Sequence, residues 1–220
     1  MIEWWKIDYT KNDINAIVDS IKQKKVSQGK NNSKLELKIS KLLNVKYCVT
    51  STSGTTAIML ALKALGVKRN DEVILPNRNW IASANVLKYL GIKIKLVDIK
   101  GDGQIIDEEQ IEKNINKKTK LIFPAHLNGK SSNMKKILAI GKKYNIKVLE
   151  DAAQGLMATN DGKYLGTIGD VGIFSMAMTK ILSTGQGGFV VTNNTKIYKR
   201  LLELKNHGLK NPFELDWNIR

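Results

Sequence analysis

The chain has 220 residues, 42% of them hydrophobic and 25% charged, a balance that belongs to folded globular proteins and excludes a disordered chain. The formal net charge is +16, but arginine occurs only at Arg69, Arg78, Arg200 and Arg220, and the lysines are scattered along helix faces. That argues against nucleic acid as a partner, because nucleic-acid binders favour arginine and gather it on one face. Cys48 is the only cysteine, so an intrachain disulfide is excluded. No run approaches the ~20 apolar residues that span a bilayer, and the N-terminal residues lack the apolar core of a signal peptide. A cytoplasmic protein with no membrane partner is expected.

Residues 1–35 read as a helical lead-in capped at Asn12 or Asp13, and 36–220 as the main domain. A strand at 47–50 runs through Ser51-Thr52-Ser53-Gly54-Thr55-Thr56 into a helix at 55–65, with Ala57, Leu60, Ala61 and Ala64 on one face and Gly66 as its stop. A strand at 72–75 ends at Pro76, and a helix at 81–90 stops at Gly91. A strand follows at 92–97, and Asp107 is placed to cap a helix at 107–114. A strand at 120–123 ends at Pro124, a helix covers 133–144, and a strand covers 147–150. Two strands, 172–176 and 188–192, come without a helix between them, and a helix at 195–206 closes the pattern. Alternation at this spacing predicts an α/β fold, a mostly parallel seven-stranded sheet with helices on both faces. Ligands in such sheets sit at the carboxyl ends of the strands.

Four loops at those ends carry usable chemistry. In the 51–56 segment Gly54 lets backbone approach an anion, the hydroxyls of Ser53 and Thr55 add donors, and the helix N-terminus adds free N–H groups; the segment is a phosphate cup or a plain capped turn. Asp151, in Glu150-Asp151-Ala152-Ala153-Gln154, ends a buried strand, where a carboxylate is costly unless it meets a cation. A pyridinium nitrogen is such a cation, and Gln154 stands where it can reach a phenolic oxygen of the same ring; the alternative is a helix-capping aspartate. Lys180 lies in the apolar stretch Phe174-Ser175-Met176-Ala177-Met178-Thr179-Lys180, ahead of Ser183-Thr184-Gly185-Gln186-Gly187-Gly188. A desolvated amine there is a nucleophile, and Ser175 offers a hydroxyl to a phosphate; the alternative is one more surface lysine. The glycines at 185–188 precede a strand, the wrong context for a dinucleotide fingerprint. Trp80, in Pro76-Asn77-Arg78-Asn79-Trp80, stacks on a planar cofactor or belongs to the core.

Together these segments resemble the DegT/DnrJ/EryC1/StrS family of sugar aminotransferases, pyridoxal 5'-phosphate (PLP) enzymes of the type I fold, over residues 5–220. Ser53-Gly54-Thr55-Thr56-Ala57, the Glu150–Gln154 segment and Thr179-Lys180 with Thr184-Gly185-Gln186-Gly187-Gly188 carry the likeness. Asp71-Glu72-Val73-Ile74-Leu75-Pro76, Pro124-Ala125-His126-Leu127-Asn128-Gly129 and Lys205-Asn206-His207-Gly208 support it. The resemblance implies a PLP-dependent transaminase that moves an amino group, from glutamate, onto a nucleotide-linked keto-sugar in amino-sugar or surface-polysaccharide biosynthesis. It implies that Lys180 holds the cofactor and shuttles the proton, and that Asp151 pairs with the ring nitrogen. Gln154 would meet the phenolic oxygen, Ser53, Gly54, Thr55 and Ser175 would hold the phosphate, and Trp80 would stack on the ring. No metal is expected, and the partner is a second copy, since family members are homodimers. The sequence departs from the family pattern at Met176–Met178, Ile181 and Gln186. Family dehydratases, which use pyridoxamine phosphate, carry histidine in place of the lysine, so Lys180 favours transamination. The family continues past Arg220 into a small C-terminal domain, so the chain is expected to be truncated before it. The other readings are such a dehydratase, an inactive PLP-binding fragment, or a DNA-binding regulator.

Overall fold

The computed structural model describes residues 5–101 and 103–209. Residues 1–4 and 210–220, on which the readings of the two chain ends and of Arg220 rest, lie outside the described residues. One sheet is built from β1 (Tyr47–Ser51), β2 (Glu72–Pro76), β3 (Lys93–Val97), β4 (Thr119–Ile122), β5 (Lys147–Asp151), β6 (Val171–Ser175) and β7 (Gly188–Thr192). Its order is β1-β7-β6-β5-β4-β2-β3. The pairs β6/β5, β5/β4, β4/β2 and β2/β3 are parallel. Only β7 runs against its neighbours, β1 and β6. The reason is visible in the chain: residues 176–187 contain no crossover helix, so the strand after β6 returns in the opposite direction.

The helices are α1 (Lys11–Lys22), α2 (Lys30–Leu42), α3 (Gly54–Ala64), α4 (Ile81–Tyr89), α5 (Glu108–Lys113), α6 (Met134–Tyr144) and α7 (Thr195–Lys205). Strand residues alternate between the sheet's faces. Val73 and Leu75 of β2 pack with α3, α4 and α7, while Ile74 between them packs with α5 and α6. On that second face α2 covers Cys48, Phe174, Phe189 and Val191 through Ile39. No helix among the described residues is long and apolar enough to cross a membrane.

Asp107 caps α5 by accepting from the Glu109 N–H at 2.9 Å, as its position predicts. The cap of α1 differs from expectation. Thr10 holds that place, accepting from the Asp13 N–H, while the Asp13 carboxylate accepts from the Thr10 N–H at 2.8 Å. Asp13 is thus the third residue of a reciprocal capping box, and Asn12 lies inside the helix. The division drawn at residue 35 falls within α2, whose later half enters the core at Ile39.

Gly172 fixes how closely the loop before β6 lies on the sheet. A Cβ there would fall 1.9 Å from the Gly166 carbonyl oxygen, and backbone cannot yield as a side-chain tip can. Gly172→Ala is therefore expected to cost about 3 kcal/mol, read as a lowered urea midpoint; an unchanged midpoint would contradict this packing.

Candidate functional site

A cavity of about 630 Å³ opens at the carboxyl ends of β1, β5 and β6 and beside the start of α4. Every residue singled out in the sequence as a site candidate lines it. The turn after β1 supplies Ser53, Gly54 and Thr55; the start of α4 supplies Trp80; the segment after β5 supplies Asp151 and Gln154; and the end of β6 with the following loop supplies Ser175 and Lys180.

One end is built for an anion. Ser53 caps α3, its Oγ accepting from the Thr56 N–H at 3.0 Å, and the Gly54 and Thr55 N–H groups are donors of the first turn that the helix itself cannot satisfy. Gly54 brings this turn against β6: a Cβ there would lie 2.9 Å from Ser175 Cβ and 3.2 Å from its Oγ. A Cβ at Gly188 would lie 2.5 Å from the Ser53 carbonyl carbon, so β7 presses on the same turn. Ser175 Oγ accepts from the Ala177 N–H at 3.3 Å, which leaves its hydrogen free to donate toward the turn.

The other end holds a buried carboxylate. Asp151 Oδ1 accepts from the Ala153 N–H at 3.1 Å, and Oδ2 accepts from the Ser83 hydroxyl at 3.3 Å. Burial pushes the Asp151 carboxyl up from the usual range, while the Ala153 N–H, His126, the Ser83 hydroxyl and, least of these, the Lys180 ammonium pull the other way. Lys180 and Asp151, the two ends of the expected pair, both line this cavity. Gln154 Oε1 accepts from the Asn128 N–H at 2.8 Å, so its amide NH2 remains to donate. Trp80 is 69% exposed, which removes the core alternative for this side chain. Among the positions that depart from the family pattern, Ala177, Ile181 and Gln186 line the cavity and Met176 is buried.

Three residues in this network had no role in the sequence reading. Ser83 reaches Asp151 from the first turn of α4. His126 and Glu150, both fully buried, share a hydrogen bond of 2.9 Å between Nε2 and Oε2. His126 had one visible signal, its place in the Pro124–Gly129 segment; Ser83 had none.

The arrangement can hold a planar group that is anionic at one end, cationic at a ring nitrogen at the other, and open to attack by an amine. PLP has those features. The hydroxyls and first-turn N–H groups suit its phosphate, the costly buried carboxylate suits its protonated ring nitrogen, and the Gln154 amide suits a ring oxygen, so the residues present fit the group.

Comparisons with known proteins bear on the family and the fold. A family model described as the DegT/DnrJ/EryC1/StrS aminotransferase family matches residues 8–218. GDP-perosamine synthase of Escherichia coli O157:H7 is 40% identical over 183 residues, which cover 83% of this chain and 50% of that protein. The aminotransferase from Psychrobacter cryohalolentis superposes with a TM-score of 0.88 at 31% identity, over 91% of this chain and 52% of that one. A GDP-4-keto-6-deoxymannose-3-dehydratase, solved with a trapped PLP-glutamate geminal diamine, superposes with a TM-score of 0.90 at 29% identity, over 96% and 56%. The chain thus spans about half the length of the relatives it matches.

Proposed function

The chain belongs to the DegT/DnrJ/EryC1/StrS aminotransferase family, and from that premise we propose that it is the cofactor-binding part of a PLP-dependent transaminase acting on a nucleotide-linked keto-sugar, with glutamate as amino donor. One observation carries this reading: Lys180, Asp151 and the α3 anion cup converge on a single cavity from three separate strand ends. The similarity to a GDP-perosamine synthase and to a dehydratase of GDP-4-keto-6-deoxymannose supports a GDP-linked 4-keto-6-deoxy sugar as the substrate. The dehydratase reading is disfavoured by Lys180, an amine suited to moving a proton in transamination.

Bound PLP supplies the electron sink on which transamination depends; the protein supplies orientation and electrostatics. Lys180 would hold the cofactor through Nζ, and the same Nζ is the group that would take a proton from the amino donor and give it back. Asp151 would pair with the ring nitrogen, because burial makes its charge expensive in any other company. Ser53, Gly54, Thr55 and Ser175 hold the phosphate, Gln154 donates to the ring oxygen, and Trp80 covers a ring face. Exposed Trp80, Ile81, Met178 and Ile181 form an apolar margin near the mouth, which supports a homodimer in which a second copy shields the site from water. We place the protein in the cytoplasm, where its single buried thiol, Cys48, stays reduced.

The test is incubation of the protein with PLP, glutamate and GDP-4-keto-6-deoxymannose, followed by mass spectrometry of the sugar nucleotide. An aminated sugar is expected. Deoxygenation without amination would replace this reading by the dehydratase, and an unchanged sugar nucleotide would leave the proposed activity without support.

A further inference from the structure

The geometry points to His126 as a positioning residue for Asp151: its ring and backbone together hold that carboxylate where a cofactor's ring nitrogen must meet it. The inference rests on the reading of the cavity as a PLP site.

His126 follows β4, and its segment lies alongside the end of β5. The Asp151 N–H donates to the Pro124 carbonyl at 2.9 Å, and the His126 N–H donates to the Asp151 carbonyl at 3.0 Å. Both backbone groups of Asp151 are therefore held by residues 124–126. That splint is anchored by the imidazole, which is buried and fixed at both nitrogens. Nδ1 accepts from the Ser132 N–H at 3.2 Å, so the ring hydrogen sits on Nε2 and is donated to Glu150 Oε2 at 2.9 Å. Glu150 is itself held at both carboxylate oxygens. Its Oε2 also accepts from the Gly166 N–H at 2.9 Å, and its Oε1 accepts from the Ile168 and Gly169 N–H groups at 2.8 and 2.6 Å. Glu150 and Asp151 are consecutive in β5, so one points into the second-face loop and the other toward the cavity. The imidazole thus ties the splint to the strand that carries Asp151 at the residue next door.

A purely electrostatic role is the competing account. A positive ring at His126 would favour ionised Asp151. The ring's own partners are the Ser132 N–H and Glu150, and Asp151 is reached through the backbone of residues 124–126. That link is one of placement, and misplacement of a reacting partner by about 1 Å costs on the order of 10²-fold.

The experiment is a double-mutant cycle read as PLP affinity. The apoprotein is titrated with PLP and followed by absorbance for the wild type, His126→Asn, Asp151→Asn and the double variant, with the melting temperature of each apoprotein recorded alongside. Asparagine at 126 can still accept from Ser132 but is too short to reach Glu150. His126→Asn is expected to weaken PLP binding about tenfold in the wild-type background and less than about twofold in the Asp151→Asn background, because the two act on one contact. Equal losses in both backgrounds, or no loss in either, would overturn the assignment. If His126→Asn does not fold, His126→Gln decides the same comparison, as it keeps a donor for Glu150; a loss of about threefold confined to the wild-type background is then expected, and an equal loss in both overturns it. Wild-type protein that fails to bind PLP at all would remove the PLP reading and this inference together, whereas a wild type that binds with losses equal across backgrounds removes only the role of His126.

Discussion

Lys180→Ala is expected to abolish amino transfer while leaving the fold untouched. Lys180 is only part-buried and sits in a loop, where substitutions typically change stability by about 0.5 kcal/mol or less, so the apoprotein should melt where the wild type does. The chemical loss is far larger. A positioned general base contributes roughly 10²–10⁴-fold, and the same substitution removes the covalent hold on the cofactor and the cation that favours ionised Asp151. Single-turnover measurement with glutamate should show no donor conversion, and cofactor binding should become freely reversible on dialysis. A variant that turned over at the wild-type rate would place the chemistry at another amine.

Asp151→Asn separates stability from function in the opposite sense. Its carboxyl is pushed up by burial, so its folded value stands above the ordinary 3.8. A group raised in this way is protonated more readily in the folded than in the unfolded chain. Its stabilising contribution is fully present below 3.8 and is lost as the pH rises through the raised value. Above that raised value the cofactor-free protein carries an unfavourable charge at this position, which asparagine removes while keeping an acceptor for the Ala153 N–H and turning its NH2 to Ser83 Oγ. The apoprotein of the variant should melt at or above the wild type, each kcal/mol gained raising the midpoint by about 2–4 °C, and the gap should widen as the pH is raised from the acid range. With PLP present the order reverses, because no charge faces the ring nitrogen; amino transfer should fall by about 10²–10³-fold. Melting curves across pH, with and without PLP, read both halves. An apoprotein destabilised at neutral pH, with cofactor affinity intact, would contradict this account of Asp151.

Much of the fold was legible because its punctuation is local. Pro76 and Pro124 close β2 and β4, Gly66 and Gly91 stop the helices that return to the sheet, and alternation of strand and helix implies the parallel pairs. The direction of β7 required noticing that 176–187 has no helix. The cap of α1 was misplaced because Thr10 and Asp13 are both good capping types, and only geometry shows which carries the N-cap conformation and which reaches back. The lining of the cavity was legible at Ser53, Gly54, Asp151 and Lys180 because each lies at a strand end or in the loop that follows one, where ligand chemistry collects. Trp80 was ambiguous between core and ring face, since composition does not tell which way an aromatic at a helix start turns. The His126–Glu150 pair was not legible: 24 residues separate its members, and they meet only because β4 and β5 are neighbours in the sheet. Ser83 reaches Asp151 across 68 residues for the same kind of reason.

The account depends most on a single covalent hold at position 180 within the cavity that Asp151 closes. Reduction of the PLP-loaded protein with borohydride, followed by proteolysis and mass spectrometry, reads it directly. A phosphopyridoxyl group on the peptide containing Lys180, absent from Lys180→Ala, is the expected result. A reduced adduct distributed over other lysines, or none on that peptide, would contradict it.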